Sequence, residues 1–389
     1  MKKCNALVLA FLLFSFTVLV IHLGIKRLDF TGPFFDAWVN DDKLLYSRAI
    51  TENLTSTSIP VFGSSEFRHG RSTPYHPAKV LSGQPFRLML IGAGYYQSLS
   101  HATALAAMGD ELPQKQAVFI LSPQWFRGKG VSSQVYTSRF SEYNYIQMLQ
   151  NPHLSDETKN YILERTDKLL KADPAMAKRV KSYQRVYLTK DATFLEKLSC
   201  KIYLSFLEDK LMVSLSLKAL AGGVSSQEYP QGAPEPNWKA LSEKAAVDGA
   251  KANTTNPFGM DNGFYNLYKN NYIKSKKDSA TKADYLNSQE YGDMICFLKV
   301  CQDLQIKPLL VSLPFNGPWY DYMGLSAEKR QEYYEKIQAI AQDYGAELLD
   351  LSSYEYTPYF FEDNTHIARE GWVKLNEGLY QFASQGLSE

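Results

Sequence analysis

Five short, unbroken apolar runs constrain this chain most: "IPVF" (59–62), "FRLMLI" (86–91), "AVFIL" (117–121), "PLLVSL" (308–313) and "ELLDL" (347–351). A sheet with one wet face alternates apolar and polar residues. Unbroken runs suit parallel strands covered on both sides. Helical patterns lie between several of the runs, among them "SHATALAAMGDEL" (100–112) and "AEKRQEYYEKIQAIAQDYG" (327–345). The latter carries Tyr333, Ile337, Ile340 and Ala341 in one stripe that stops at Gly345. Strand, helix, strand in repetition predicts an α/β fold: a three-layer, flavodoxin-like parallel sheet.

From about residue 130 to 290 the pattern changes to long amphipathic helices, with a Pro/Gly-rich loop expected over "SSQEYPQGAPEPNW" (225–238). This stretch reads as a helical insertion between the third and fourth strands.

Residues 6–25, "ALVLAFLLFSFTVLVIHLGI", are long and apolar enough to cross a hydrocarbon core, which takes about 20 residues for ~30 Å. "HLGIKRLDF" is a poor cleavage site, so an uncleaved anchor is expected. Lys2, Lys3 and the free amine favour a cytoplasmic N-terminus. The expected division is an anchor over 1–27 and an extracytoplasmic domain over 28–389. A net charge of +1 excludes the concentrated basic face that nucleic acid requires, and "KSKK" (274–277) reads as a solvated face. Cys200, Cys296 and Cys301 show neither disulfide-framework nor zinc spacing, and Cys296 and Cys301, in the apolar pattern "MICFLKVC", read as buried thiols. No P-loop, HExxH or EF-hand pattern occurs. "LIGAGYYQ" lacks the third glycine and the acidic residue of a dinucleotide loop, so no cofactor and no metal are expected.

In open α/β sheets the chemistry sits at the carboxyl ends of the strands. There the chain offers "GSSEF", "GAGYYQSLSH", "SPQWF", "PFNGPWYDY" and "SSYEYTPYFFEDNTH". In the last, Asp363 and His366 lie three apart, just before a helix marked by Trp372, Leu375, Leu379 and Phe382. An aspartate that accepts the Nδ1 proton of a histidine leaves Nε2 free as a base. Helix capping by Asp, Asn and Thr explains "DNTH" as well. "GSSE" can be an ordinary turn, or it can carry a serine that becomes a nucleophile once a base reaches it. Glu66 and His69 lie near the candidate serine in sequence, and a surface turn explains them equally well. Trp319, Tyr320 and Tyr322 either cap the core or, for Trp319 and Tyr320, line a substrate groove.

The serine after the first strand and the late D-x-x-H resemble the SGNH (GDSL-like) hydrolase superfamily. Ser65 falls at the nucleophile position, and Ser64 stands where an aspartate is usual. More narrowly, the anchor, "FGSSEF", "GAGYYQS", "SPQWF", "LPFNGPWYDYMG" and "EDNTHIAREGW" resemble the DltD family over nearly the full length. The resemblance implies an SGNH-hydrolase-like fold and a Ser65–His366–Asp363 triad. It also implies D-alanyl transfer to the polyglycerol phosphate of lipoteichoic acid, with a membrane O-acyltransferase as partner. The superfamily's oxyanion asparagine has no counterpart; Gln124 and the backbone N–H near Gly94 are the expected substitutes. Two other readings stand beside transfer. One is a non-catalytic scaffold that binds the D-alanyl carrier protein or the O-acyltransferase. The other is an esterase that trims polysaccharide acetyl groups.

Overall fold

The computed structural model describes residues 2–27, 31–32, 34–189, 191–222, 232–254, 256–268 and 271–386. All five apolar runs become strands: β1 (Ser58–Phe62), β2 (Arg87–Ile91), β3 (Gln116–Leu121), β4 (Lys307–Ser312) and β5 (Glu347–Asp350). They form one sheet in the order β2-β1-β3-β4-β5, every pairing parallel.

Side chains alternate across this sheet, and in β1, β3 and all of β4 but Lys307 both sets are buried, while edge strand β5 is partly covered. Phe62, Phe119, Leu121 and Leu310 join one apolar layer with residues of helices Ser98–Met108 and Glu290–Asp303. Ile59, Val61, Val118, Ile120, Leu309 and Val311 join the other, against Trp372, Leu375, Leu379 and Phe382 of helix Arg369–Gln385. Burial on both faces is why the strands read as unbroken apolar runs. Each buried aliphatic or phenyl side chain contributes about 1.5–3 kcal/mol relative to exposure. The four-residue stripe of the last helix is the seam that clamps it to the sheet.

Between β3 and β4 lie the expected long helices, including Glu142–Gln150, Asp156–Leu169, Phe194–Ala221 and Trp238–Ala252. They are woven into the sheet's layers. Helix Glu142–Gln150 packs on Ser98–Met108, and Trp238–Ala252 packs on Arg369–Gln385. The buried pair Arg165–Asp293 joins the inserted helices to Glu290–Asp303, with guanidinium–carboxylate distances of 2.7 Å. Of the Pro/Gly-rich loop expected over 225–238, residues 225–231 lie outside the described residues, as do 28–30 at the expected anchor boundary. Cys200, Cys296 and Cys301 are free and buried. Burial raises the thiols of Cys296 and Cys301 far above the range in which thiolates form.

The helix Lys2–Ile25 contains a 20-residue span, Ala6–Ile25, with a mean hydropathy of 2.6. It is the one helix among the described residues long and apolar enough to cross a membrane, and none of that span is buried by the rest of the chain.

The chain runs from β1 out to β2 and returns past β1 to β3, so connections leave β1 and β3 in opposite directions. That reversal opens a crevice at their carboxyl ends. Gly92, just after β2, has φ +151°, and a β-carbon there would lie 1.9 Å from the carbonyl oxygen of Gly63. The obstructing atom is backbone and cannot rotate away. Gly92→Ala is therefore expected to destabilise the fold by about 3 kcal/mol or more. A chemical-denaturation midpoint equal to that of the parent would refute this close approach.

Candidate active site

β1 stops at Phe62, and the Gly63 N–H donates to the Ile91 carbonyl at 3.0 Å, tying the strand's end to β2. The next two serines diverge. Ser64 is buried; its hydroxyl donates to the Ala93 carbonyl at 3.0 Å, and its N–H is held by the Glu66 carboxylate. Ser65 opens a 3₁₀ turn, Ser65–Phe67, and its Oγ lies 2.8 Å from Nε2 of His366, 301 residues away. The turn chemistry thus occupies one hydroxyl and leaves the other for the imidazole.

The histidine side is built as tightly. Asp363 Oδ1 accepts the N–H groups of Thr365 and His366, each at 2.7 Å, while Oδ2 lies 2.8 Å from His366 Nδ1. One carboxylate therefore both shapes the Asp-x-x-His turn and orients the ring that the turn presents. The buried Asn316, after β4, donates to the Asp363 carbonyl at 3.2 Å and to the Phe258 carbonyl at 3.1 Å. Gly371 lets helix Arg369–Gln385 start close beneath this turn: a β-carbon there would meet Ile367 at 2.7 Å and the Phe360 carbonyl at 2.8 Å.

Burial pushes the Asp363 carboxyl up. Its bonds to the His366 ring and charge, and to the N–H groups of His366 and Thr365, outweigh that and hold it below the ordinary carboxylate range. Burial likewise pushes His366 down. The Asp363 hydrogen bond and charge, aided by Glu66 and Glu362, outweigh it and hold the imidazole above the ordinary histidine value.

Two residues that the sequence leaves between the site and a surface turn lie against His366 and Ser64. Glu66 is buried, and burial, opposed by the Ser64 and Glu66 N–H groups, raises its carboxyl. His69 donates its N–H to the Ser65 carbonyl at 3.2 Å, and its ring stacks on His366 with centroids 3.6 Å apart and planes 7° apart. Its Nδ1 engages Glu362, the neighbour of Asp363, so two imidazole–carboxylate pairs lie side by side. The four-residue step from Ser65 to His69 and the doublet Glu362–Asp363 were the available sequence signals. Neither is distinctive without the fold.

Donor atoms of His69, Asp363 and His366 lie within 4.8 Å of one another. Both nitrogens of His366 are already engaged, by Ser65 and Asp363, and the stacked rings run parallel. Such lone pairs do not converge on a point, as a metal site requires.

The remaining expected residues separate. Gly94 borders Ser65: a β-carbon built on it would lie 3.9 Å from the serine Cβ. Among the described residues, neither the Ser65 nor the Gly94 N–H is engaged by an acceptor of the chain. Gln124 sits exposed in the turn Pro123–Phe126 after β3, the strand beside β1, and no hydrogen bond among the described residues joins it to Ser65. Trp319 and Tyr320, in helix Gly317–Tyr322, are core residues rather than groove walls. Both are buried, with Trp319 against Phe258 (centroids 5.1 Å) and Tyr320 against Phe315 (4.7 Å). Aromatic neighbours already occupy the faces a ligand would need.

The profile of one family, described as DltD protein, matches residues 35–384. A curated relative, Protein DltD of Bacillus subtilis (strain 168), is 30% identical over 334 residues, covering 85% of this chain and 83% of its own. Protein DltD of Staphylococcus aureus (strain NCTC 8325 / PS 47) is 30% identical over 384 residues, covering 95% and 94%. Protein DltD of Lacticaseibacillus rhamnosus is 27% identical over 350 residues, covering 85% and 78%.

Proposed function

The chain belongs to the DltD family, and from that premise we propose that it is a serine O-acyltransferase that D-alanylates lipoteichoic acid at the outer face of the membrane. The observation that carries this reading is the continuous relay from Ser65 Oγ to His366 Nε2 and from His366 Nδ1 to Asp363, each contact 2.8 Å.

In the first half-reaction Ser65 Oγ attacks the carbonyl carbon of an activated D-alanyl ester while its proton passes to His366 Nε2. The tetrahedral oxyanion is met by the N–H groups of Ser65 and Gly94, neither engaged elsewhere among the described residues. The intermediate collapses, the donor's leaving group takes the proton from His366, and an acyl-serine remains. A glycerol hydroxyl of the polymer then gives its proton to His366 and attacks the acyl carbon. Ser65 departs and recovers the proton. Asp363 stays ionised throughout and steadies the imidazolium. The chemistry uses only side chains and backbone of this chain, and no cofactor takes part. Gln124, exposed in the turn after β3, is a further candidate donor to that oxyanion.

The two lysines and the amine before the anchor favour an N-terminus inside the cell, which sets residues 28–389 outside, beside the polymer and a membrane O-acyltransferase that supplies the acyl group. Incubation with an activated D-alanyl ester or a fluorophosphonate, followed by peptide mass spectrometry, tests the nucleophile. The expected adduct is on Ser65 and disappears in His366→Ala. Unmodified protein under both reagents would favour the scaffold reading, and prompt release of acetate from model acetyl esters would favour the trimming esterase.

A further inference from the structure

Helix Phe194–Ala221 is 28 residues long and opens with a complete capping box at Thr193 and Glu196. One of its faces is buried through Cys200, Leu207, Leu211, Leu215 and Ala219. The opposite face is apolar and bare. Leu195, Leu198, Ile202, Phe206, Leu217 and Leu220 are all exposed, Ile202 at 62%, Phe206 at 59% and Leu217 at 61%. Their three-, four- and multiple-turn steps form one stripe along the helix. A largely apolar stripe of this length left to water would be an aggregation liability.

The same stripe contains one charged residue, and that residue shows what the face meets. Asp209 falls in the row between Phe206 and Leu217, and its carboxylate lies 2.6 Å from Nδ1 of His22. His22 belongs to the last turn of the apolar helix Lys2–Ile25, which packs on helix Phe194–Ala221 there while its span stays unburied. The anchor therefore meets the stripe at its own membrane-exit end. About 20 apolar residues traverse the hydrocarbon, so His22 and Asp209 lie at the level where hydrocarbon gives way to headgroups. Lys201 and Lys210 stand exposed on either flank of the stripe, where lipid phosphates would lie.

We infer that helix Phe194–Ala221 is an interfacial membrane helix. It lies along the outer leaflet with Ile202, Phe206 and Leu217 in the acyl-chain boundary, and the His22–Asp209 contact fixes its depth. A helix with one apolar face and flanking cations seats itself at that boundary. The domain is then held to the bilayer at two places, which restricts the swing that a single flexible tether would permit. This inference does not depend on the acyl-transfer reading.

The test uses the full-length protein in vesicles of phosphatidylglycerol and phosphatidylethanolamine, with no other protein present. An environment-sensitive fluorophore is attached at Ile202→Cys, Phe206→Cys or Leu217→Cys in a Cys4→Ser background, where the other native thiols are buried. Glu328→Cys, exposed on helix Ala327–Asp343, is the aqueous reference. Expected are blue-shifted emission, quenching by nitroxide lipids and loss of iodide quenching at all three stripe positions, with the reverse at residue 328. The inference is overturned if the stripe labels behave like the reference. It is equally overturned if they become protected only after a second membrane protein is added, because the stripe would then be a protein-docking surface. All label sites are exposed in the fold, so misfolding does not confuse the outcome.

Discussion

Ser65→Ala is expected to cut transfer of D-alanyl esters to the polymer to background, a loss on the order of 10³–10⁶-fold. Among the described residues Ser65 supplies the one hydroxyl hydrogen-bonded to the His366 ring, and the alanine removes it. The informative control is its neighbour. Ser64 spends its hydroxyl on the Ala93 carbonyl, so Ser64→Ala should cost about 1 kcal/mol of stability and leave transfer within a few-fold of the parent. Ester content of the polymer, measured alongside thermal stability, separates the two. Loss of activity in Ser64→Ala with retention in Ser65→Ala would reverse the roles.

Asp363→Asn should lower transfer by about 10³–10⁴-fold while leaving the chain folded. The carboxylate uses one oxygen for two backbone N–H groups and the other for the imidazole. An amide has only one acceptor oxygen. If that oxygen keeps the turn, the NH₂ faces Nδ1, and the ring is forced into the tautomer that carries its proton on Nε2. That tautomer cannot take the serine proton. The pH profile gives a second signature. The base must be neutral, and Asp363 holds the His366 pKa above the ordinary value, so activity in the parent should rise through a pKa higher than that of free histidine. In Asp363→Asn the residual activity should rise at lower pH. An unshifted acid limb would show that another group governs it.

Stability follows the same pair with opposite signs. The raised His366 pKa contributes stability that is complete below its unfolded value and is lost as pH rises through the folded one. The depressed Asp363 pKa contributes stability that is present above its unfolded value and is lost as pH falls through the folded one. The pair is most stabilising between these limits.

The architecture was legible because burial on both faces leaves a compositional mark. Val61, Phe119 and Leu310 could be read as strand residues without any partner being known, and Trp372 to Phe382 as a helix seam. The serine and histidine could be paired because each makes chemical sense only with the other. His69 and Glu66 were not legible. Their importance comes from a ring stacked across 297 residues of sequence and from a carboxylate folded back on its own turn, neither of which has a periodic signature. Trp319 and Tyr320 stayed open between core and groove for a related reason: aromatic residues after a strand look alike whether they face a groove or, as here, are buried beneath it. The interfacial stripe was visible only as part of an amphipathic pattern, because sequence gives a helix two faces without saying which one the protein leaves bare.

β3 and β4 are adjacent in the sheet, yet residues 122–306 intervene between them. Half of the domain must therefore be synthesised before the central pair of strands can zip, and the Asp-x-x-His turn follows later still. Closing so large a loop is entropically slow, so during biogenesis the nascent chain spends a long interval with its sheet open. Throughout that interval the Ser65 hydroxyl lacks its His366 partner, because that ring follows β5 and is among the last parts of the chain to appear.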